Sequence, residues 1–352
     1  MIESFEIQNF RGFRHIALDS LSRINIVVGD NGAGKTALLE ALFMAAAANP
    51  EVALRYRQWR GVDSQAFMGS PQELYDGVFL DLFNDFNKEK VPHIFLKGTN
   101  NDSKSLTFYY DEGEPTLFPF NDASQSKTLA YTPITFEWKD SAEKISKVTP
   151  ELRPNGIVIQ PVSLQKTEAS FLAARVSIPT SQNAKWFSDL SKRGVEKKFI
   201  STVRAQFSEI ESMSVEVDMG APVIFIKYPW LDKKMPIYLA SDGLNKLVTL
   251  LLHIAHSEHT AFFVDEVENG FHFSRHDRLW EQMYSFSKSY DTQLFLTTHS
   301  LEYLQAAVPL MEKHPKDFSM IQVHRDKGES SISIAKGAQA ALAIKAGIEV
   351  RK

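Results

Sequence analysis

The stretch INIVVGDNGAGKT, Ile24–Thr36, decides how the rest of the chain is read. Ile24–Gly29 is β-branched and nearly all apolar, which predicts a strand buried on both faces. Gly29-x-x-x-x-Gly34-Lys35-Thr36 then fits the phosphate-loop pattern in full. TALLEALFMAAAAN, Thr36–Asn49, consists of strong helix formers and stops before Pro50. Strand, glycine loop and helix therefore follow in the order the pattern requires. Glycines let the amides of Asp30, Asn31, Gly32, Ala33, Gly34, Lys35, Thr36 and Ala37 turn toward phosphate oxygens, and the helix adds its positive N-terminus. Lys35 is expected to reach the β- and γ-phosphates, and the Thr36 hydroxyl to hold Mg²⁺. A nucleotide and Mg²⁺ are the expected ligands of this loop.

A second segment, AFFVDEVENGFH, Ala261–His272, sets four apolar residues ahead of two acids. A buried carboxylate needs a partner, so acids at the mouth of a buried strand point to a metal or a charged ligand. Asp265 fits the Mg²⁺ ligand and Glu266 the general base that polarises the attacking water. Glu268 is a further candidate. FLTTHS, Phe295–Ser300, ends another buried strand at Thr298-His299. A lone histidine is more often structural. Here His299 follows the acids on the next strand, so its expected work is to sense the γ-phosphate and orient the water. Ligands of open α/β sheets gather at such carboxyl ends of strands.

Composition sets the outer bounds. At 352 residues, with 43% apolar and 23% charged, the chain is long enough for two or three domains, or for one domain with a large insertion. With no cysteine, disulfides, thiolate zinc sites and cysteine nucleophiles are excluded and a cytoplasmic setting is expected. No run reaches the ~20 apolar residues of a membrane helix, and the N-terminus lacks the apolar block of a secretory signal. Net charge is −4, so any nucleic-acid contact needs a local basic patch.

The alternation in SFEIQNF, Ser4–Phe10, predicts a strand. HIFLKG, SLTFYYD, PITFEWKD and GIVIQPV read as further short strands, and Asn183–Phe207 as a helical region. VFLDLFNDF, Val78–Phe86, fits strand or helix. From Ser241 onward, helical patterns alternate with apolar strands, and Asp317–Gly337 reads as a hairpin turning at Lys327-Gly328. The predicted class is α/β with a mostly parallel core sheet and an inserted middle region. The expected divisions are 1–50, with the phosphate loop; 51–220, the inserted α+β region; and 221–352, with the acids and His299.

FRGF, INIVVGDNGAGKTALLEAL, LASDGLNKLVTLLLHIA, FFVDEVENGFH and LFLTTHS together resemble the ABC-type ATPase heads of the OLD, RecF and chromosome-maintenance group, most of all the stand-alone OLD-like ATPases. The resemblance covers about Met1–Asn49 and Met235–His324, and it implies in addition a P-loop ATPase head with an antiparallel β lobe. It implies that Ser241, Asp242 and Gly243 form a short ABC signature, which completes the nucleotide site of a second subunit across an ATP-sandwiched dimer. A capping role for Ser241 is compatible with this. The resemblance also implies that Arg11 lies near the nucleotide and that a Mg²⁺-sensing glutamine lies between loop and signature. Gln58 and Gln72 are both open for that role. DEVENGFH has Val267 where the group has proline, which leaves the acids intact. Neither a Toprim nuclease region nor the sustained heptads of a long coiled coil can be placed.

Two functions compete. One is a sensor or regulator ATPase that assembles with itself and gates a separately encoded effector, as in bacterial anti-phage defence. The other is a RecF-like repair ATPase that binds DNA through RYRQWR, Arg55–Arg60, or KRGVEKK, Lys192–Lys198, where aromatic and basic residues suit nucleic acid. A scaffold without turnover is disfavoured by Glu266. A GTPase is disfavoured by the lack of an Asn-Lys-x-Asp segment, and a membrane transporter's ATPase by the FRGF start.

Overall fold

The computed structural model describes residues 1–48, 70–111, 113, 115–118, 129–153, 156–159, 169–174, 178–257 and 260–351. Gln58 and the Arg55–Arg60 cluster lie outside them.

A central six-stranded sheet has the order Ala169–Leu172, Ala261–Val264, Gln293–Thr297, Ile24–Gly29, Phe318–Asp326, Glu329–Lys336. The first five strands are parallel and only the last is antiparallel. Ile24–Gly29 and Gln293–Thr297 are buried at every position, as the continuous apolar runs demand. A second six-stranded sheet is antiparallel throughout, in the order Phe13–Leu18, Ile2–Phe10, His93–Gly98, Ser103–Tyr110, Ile134–Asp140, Ile145–Val148. This is the P-loop ATPase-like α/β fold with a mostly parallel core sheet and an antiparallel lobe.

The helix Lys35–Ala47 lies between the two sheets, and Trp138 of the antiparallel sheet donates its indole N–H to the Met44 carbonyl at 3.1 Å. Eleven of its residues are buried, which is why LLEALFMAAA shows no polar face. Val27 packs on this side, while Ile24, Ile26 and Val28 face the opposite side of the central sheet. There the helices Asp242–His256, His276–Tyr290, Leu301–Lys313 and Gly337–Lys345 close the second core.

Two readings change in detail. Val78–Phe86 is the end of a helix, Pro71–Phe79, followed by 3₁₀ turns, and the Asn183–Phe207 region is two helices, Thr180–Lys192 and Glu196–Gln206. Residues between 51 and 220 also supply strands to both large sheets, because apolar strands such as Ala169–Leu172 find edge partners in the core.

His253 is buried in this core, its ring stacked on Phe262 at 4.9 Å and edge-on to Trp186 at 4.4 Å. Burial, with His256 nearby, pushes its pKa down to about 3. The unfolded chain therefore binds more protons at low pH: the stabilisation is complete above the ordinary histidine pKa and is lost as pH falls toward 3. Stability is expected to drop by up to about 1.4 kcal/mol per pH unit below 6.5 from this residue. His253→Phe should flatten that part of the curve of melting temperature against pH. An unchanged slope would assign the acid sensitivity elsewhere.

Candidate nucleotide site

Three parallel strands end together, and their register fixes the site. Thr297 pairs with Val27, and Val264 with Leu296. The phosphate loop, the two acids and His299 therefore leave the same edge of the sheet, where open α/β folds hold ligands.

Gly29 and Gly34 shape the loop. A Cβ on Gly29 would lie 2.3 Å from the Val323 carbonyl oxygen, and Gly34 caps the helix with φ 116° and a Cβ direction only 3.1 Å from Phe13. No side chain caps this helix N-terminus, so its first amides stay available to an anion. The hairpin beside the loop braces it: Ser330 donates its hydroxyl to the Ala33 carbonyl at 2.9 Å, and Arg325 donates to the Gly32 carbonyl at 3.0 Å. Asp30, Asn31 and Gly32 are exposed, whereas Lys35 is buried and donates to the carbonyls of Gly29 and Asp30 at 2.8 Å each. Burial lowers its pKa, and the charges of Asp265, Asp30 and Glu266 oppose the shift.

Thr36 and Asp265 meet across 229 residues of sequence: the Thr36 hydroxyl is 3.2 Å from both oxygens of Asp265. Burial raises the Asp265 pKa, countered by hydrogen bonds from Thr297 and Thr36. Thr297 is the hinge of this arrangement. Its hydroxyl donates to Asp265 at 2.6 Å and accepts the backbone N–H of Glu266 at 2.8 Å. Among the described residues no three His, Asp or Glu converge as a resident metal centre. A hydroxyl and one carboxylate suit Mg²⁺, which keeps several waters and shares itself with phosphates.

Glu266 sits in the left-handed region with φ 47°, a conformation that costs a non-glycine residue energy and clusters at functional sites. Three groups hold it: Thr297 at its N–H, Lys246 Nζ at its carbonyl (3.2 Å) and the Asn269 amide at Oε2 (2.5 Å). Lys246 comes from the helix Asp242–His256. Burial lowers its pKa to about 8, against the pull of Glu268, Glu266 and Asp265. Glu268 accepts the backbone N–H of His299 at 2.8 Å. His299 itself lines a cleft of about 270 Å³ with Gly29, Asp30, Asn31, Glu349 and Arg351.

The residues named only through the resemblance sit as follows. Ser241 is exposed at the N-terminus of Asp242–His256, and its hydroxyl accepts the Leu244 N–H at 3.4 Å; Asp242 is exposed beside it and Gly243 is half-buried. Arg11, φ 49°, pairs with Glu40 of the loop helix and lies 3.6 Å from Asp81. Gln72 donates to Asp76 at 2.7 Å and accepts the Thr132 N–H at 2.7 Å. Thr297, Lys246, Asn269 and Arg351 were not singled out from the sequence. Only Lys246 left a signal there, as a lone cation in the apolar run LNKLVTLLL.

Thr297→Val is expected to leave the Asp265 carboxylate short of a donor in a buried place. That costs about 1–3 kcal/mol of stability. It also frees the Glu266 backbone, so turnover should fall more than nucleotide affinity. Melting curves and phosphate release check both, and unchanged turnover would remove Thr297 from the site.

The chain is similar to several known proteins. Residues 1–51 match the family described as "AAA ATPase domain", and residues 179–304 the family described as "AAA domain, putative AbiEii toxin, Type IV TA system". The chain is 22% identical over 345 residues to an ATP/GTP phosphatase of Helicobacter pylori, spanning 91% of this chain and 90% of that protein. It is 32% identical over 114 residues to the DNA double-strand break repair Rad50 ATPase of Methanopyrus kandleri, spanning 32% of this chain and 12% of that one. It also overlays a crystal structure of the SmcHead bound to the C-winged helix domain of ScpA, with a TM-score of 0.48, 14% identity, and 95% and 98% of the two chains covered. Two segments of the chain thus match AAA-type ATPase domain families, and the chain is similar to the Helicobacter ATP/GTP phosphatase along most of its length and to the Rad50 ATPase over 114 residues.

Proposed function

We propose that this ATPase is a regulatory switch. It binds ATP with Mg²⁺, closes on a second copy of itself around two nucleotides, hydrolyses them slowly, and through that cycle gates a separately encoded effector in the cytoplasm. The observation that carries the reading is the convergence of Lys35, Thr36, Asp265 and Glu266 at one sheet edge, while Ser241 stands exposed at its own helix N-terminus. Thr36 and Asp265 would hold Mg²⁺, which neutralises phosphate charge when bound. The loop amides from Asp30 to Ala37, with Lys35, hold the phosphates. Glu266 takes the proton of the attacking water, and His299 orients that water.

Self-association is supported by the surroundings of Ser241. Tyr238 and Leu239, just ahead of it, are 46% and 65% exposed. Large apolar side chains left in water beside an anion-binding helix end suit a surface that another copy covers. The family matched by residues 179–304 is described as a putative toxin of a TA system, which supports a defence role exercised together with a separate partner.

Light scattering on Glu266→Gln tests the reading. ATP with Mg²⁺ is expected to double the mass, and ADP is not. A monomer under both nucleotides would overturn the sandwich.

DNA binding in the manner of a repair ATPase is the second reading. The Rad50 relative's name favours it, as do the exposed Lys192, Arg193, Lys197 and Lys198 at the turn between two helices. Affinity for a DNA duplex that falls steeply with salt would support it.

A further inference from the structure

The loop–His299 cleft has a wall that the ATPase motifs do not supply. After the helix Gly337–Lys345 the chain turns back, with the N–H of Ile348 bonded to the Ala343 carbonyl at 3.1 Å. Val350 is then buried, 3% exposed, in the core that also holds Ile344. This anchor sets Glu349 and Arg351 into the cleft, opposite Gly29, Asp30 and Asn31. Arg351 donates to the His299 carbonyl at 3.2 Å, and its Nε and Nη2 form a bidentate pair with the Glu349 carboxylate at 2.8 Å each.

Lys35 places the cleft relative to the phosphates. Its ammonium bonds the carbonyls of Gly29 and Asp30, and both residues line the cleft. The lysine of a phosphate loop serves the β- and γ-phosphates. The cleft is therefore on the terminal-phosphate side, and Arg351 faces it from across the gap, tied to the same residue that senses that phosphate in the proposed mechanism.

The geometry points to Arg351 as a γ-phosphate-binding residue of the chain's own nucleotide site, held in reserve by Glu349. A guanidinium fits phosphate oxygens in the same forked way that it fits a carboxylate, and the more highly charged γ-phosphate competes for the fork. ATP then exchanges the Glu349–Arg351 pair for a phosphate–Arg351 pair, whereas ADP leaves it in place. Because Arg351 also holds the His299 carbonyl, the exchange reports the terminal phosphate to the loop that carries His299.

This assignment rests on the ATPase reading of the site, and calorimetric titration with ATPγS and with ADP, both with Mg²⁺, separates the two. Arg351→Ala is expected to weaken ATPγS by about tenfold or more, the loss of a charge-assisted hydrogen bond, and ADP by less than about twofold. Glu349→Gln, which releases the guanidinium, is expected to tighten ATPγS and leave ADP unchanged. Arg351→Lys should recover part of the ATPγS affinity, which shows that the variants fold. Equal weakening of both nucleotides by Arg351→Ala would overturn the assignment and leave Arg351 as a brace for the His299 loop. So would normal ATPγS binding by Arg351→Ala alongside its loss in Lys35→Ala, with the ATPase reading standing. Failure of the unaltered protein to bind either nucleotide would overturn both.

Discussion

Glu266→Gln is expected to lower ATP turnover by roughly 10²–10⁴-fold, the usual worth of a positioned general base, while ATP affinity changes by less than about twofold. The substitution is close to isosteric, and the contacts that fix residue 266 survive it. Its N–H still donates to Thr297, and its carbonyl still accepts from Lys246. The side-chain amide can turn its oxygen to Asn269, which donates to Oε2. What disappears is the basic site. Glu266 is also half-buried beside Asp265, so its charge opposes that of the incoming phosphates. Removing the charge keeps or tightens nucleotide binding while chemistry stops. Single-turnover phosphate release with ATP and Mg²⁺ measures the first effect and equilibrium titration the second. Turnover within about threefold of the unaltered protein would take the base assignment from Glu266. Glu268 would then be the next base to test, since its Oε1 accepts the N–H of His299 while its buried Oε2 makes no hydrogen bond among the described residues.

The site was legible in the sequence wherever chemistry and a local pattern coincide. The phosphate loop declares itself because its glycines, lysine and hydroxyl occupy one short segment, and because the strand before it has to be apolar on both faces to sit inside a parallel sheet. Asp265 and Glu266 were legible for the same reason: four buried residues, then two acids. Helix Lys35–Ala47 was legible as a helix but not as the layer between two sheets, although its lack of a polar face contained that information. Thr297 and Asn269 could not be read. A threonine in a β-rich run is ordinary, and only the register with Val27 and Val264's neighbour Leu296 brings its hydroxyl between Asp265 and the Glu266 amide. Arg351 was hidden for a related reason. Its place depends on a turn after Gly337–Lys345 and on the burial of Val350, contacts with no periodicity. The strands between 51 and 220 were found piecemeal, but not their shared sheets, because pairing partners such as Ile2–Phe10 and His93–Gly98 are far apart in sequence.

A mixing experiment carries the second large effect. Ser241→Asp and Glu266→Gln are each expected to be nearly inactive alone, and their equimolar mixture is expected to recover about a quarter of the unaltered rate. Aspartate caps a helix as well as serine does, so Ser241→Asp keeps the bond to the Leu244 N–H and the helix Asp242–His256. It brings a negative charge, however, to the helix end that the proposed sandwich would set against a partner's γ-phosphate. In a two-fold dimer each site takes its loop and acids from one copy and its signature from the other. A mixed dimer therefore holds one intact site, made of the loop, Asp265 and Glu266 of the Ser241→Asp copy and the serine of the Glu266→Gln copy. Its second site carries both defects. Random pairing makes about half of the dimers mixed, each with one working site of two, which gives the quarter. A signature acting within its own chain cannot complement in this way, because every copy then carries a defect of its own. A mixture no faster than the mean of its two components would therefore assign Ser241 to helix capping alone.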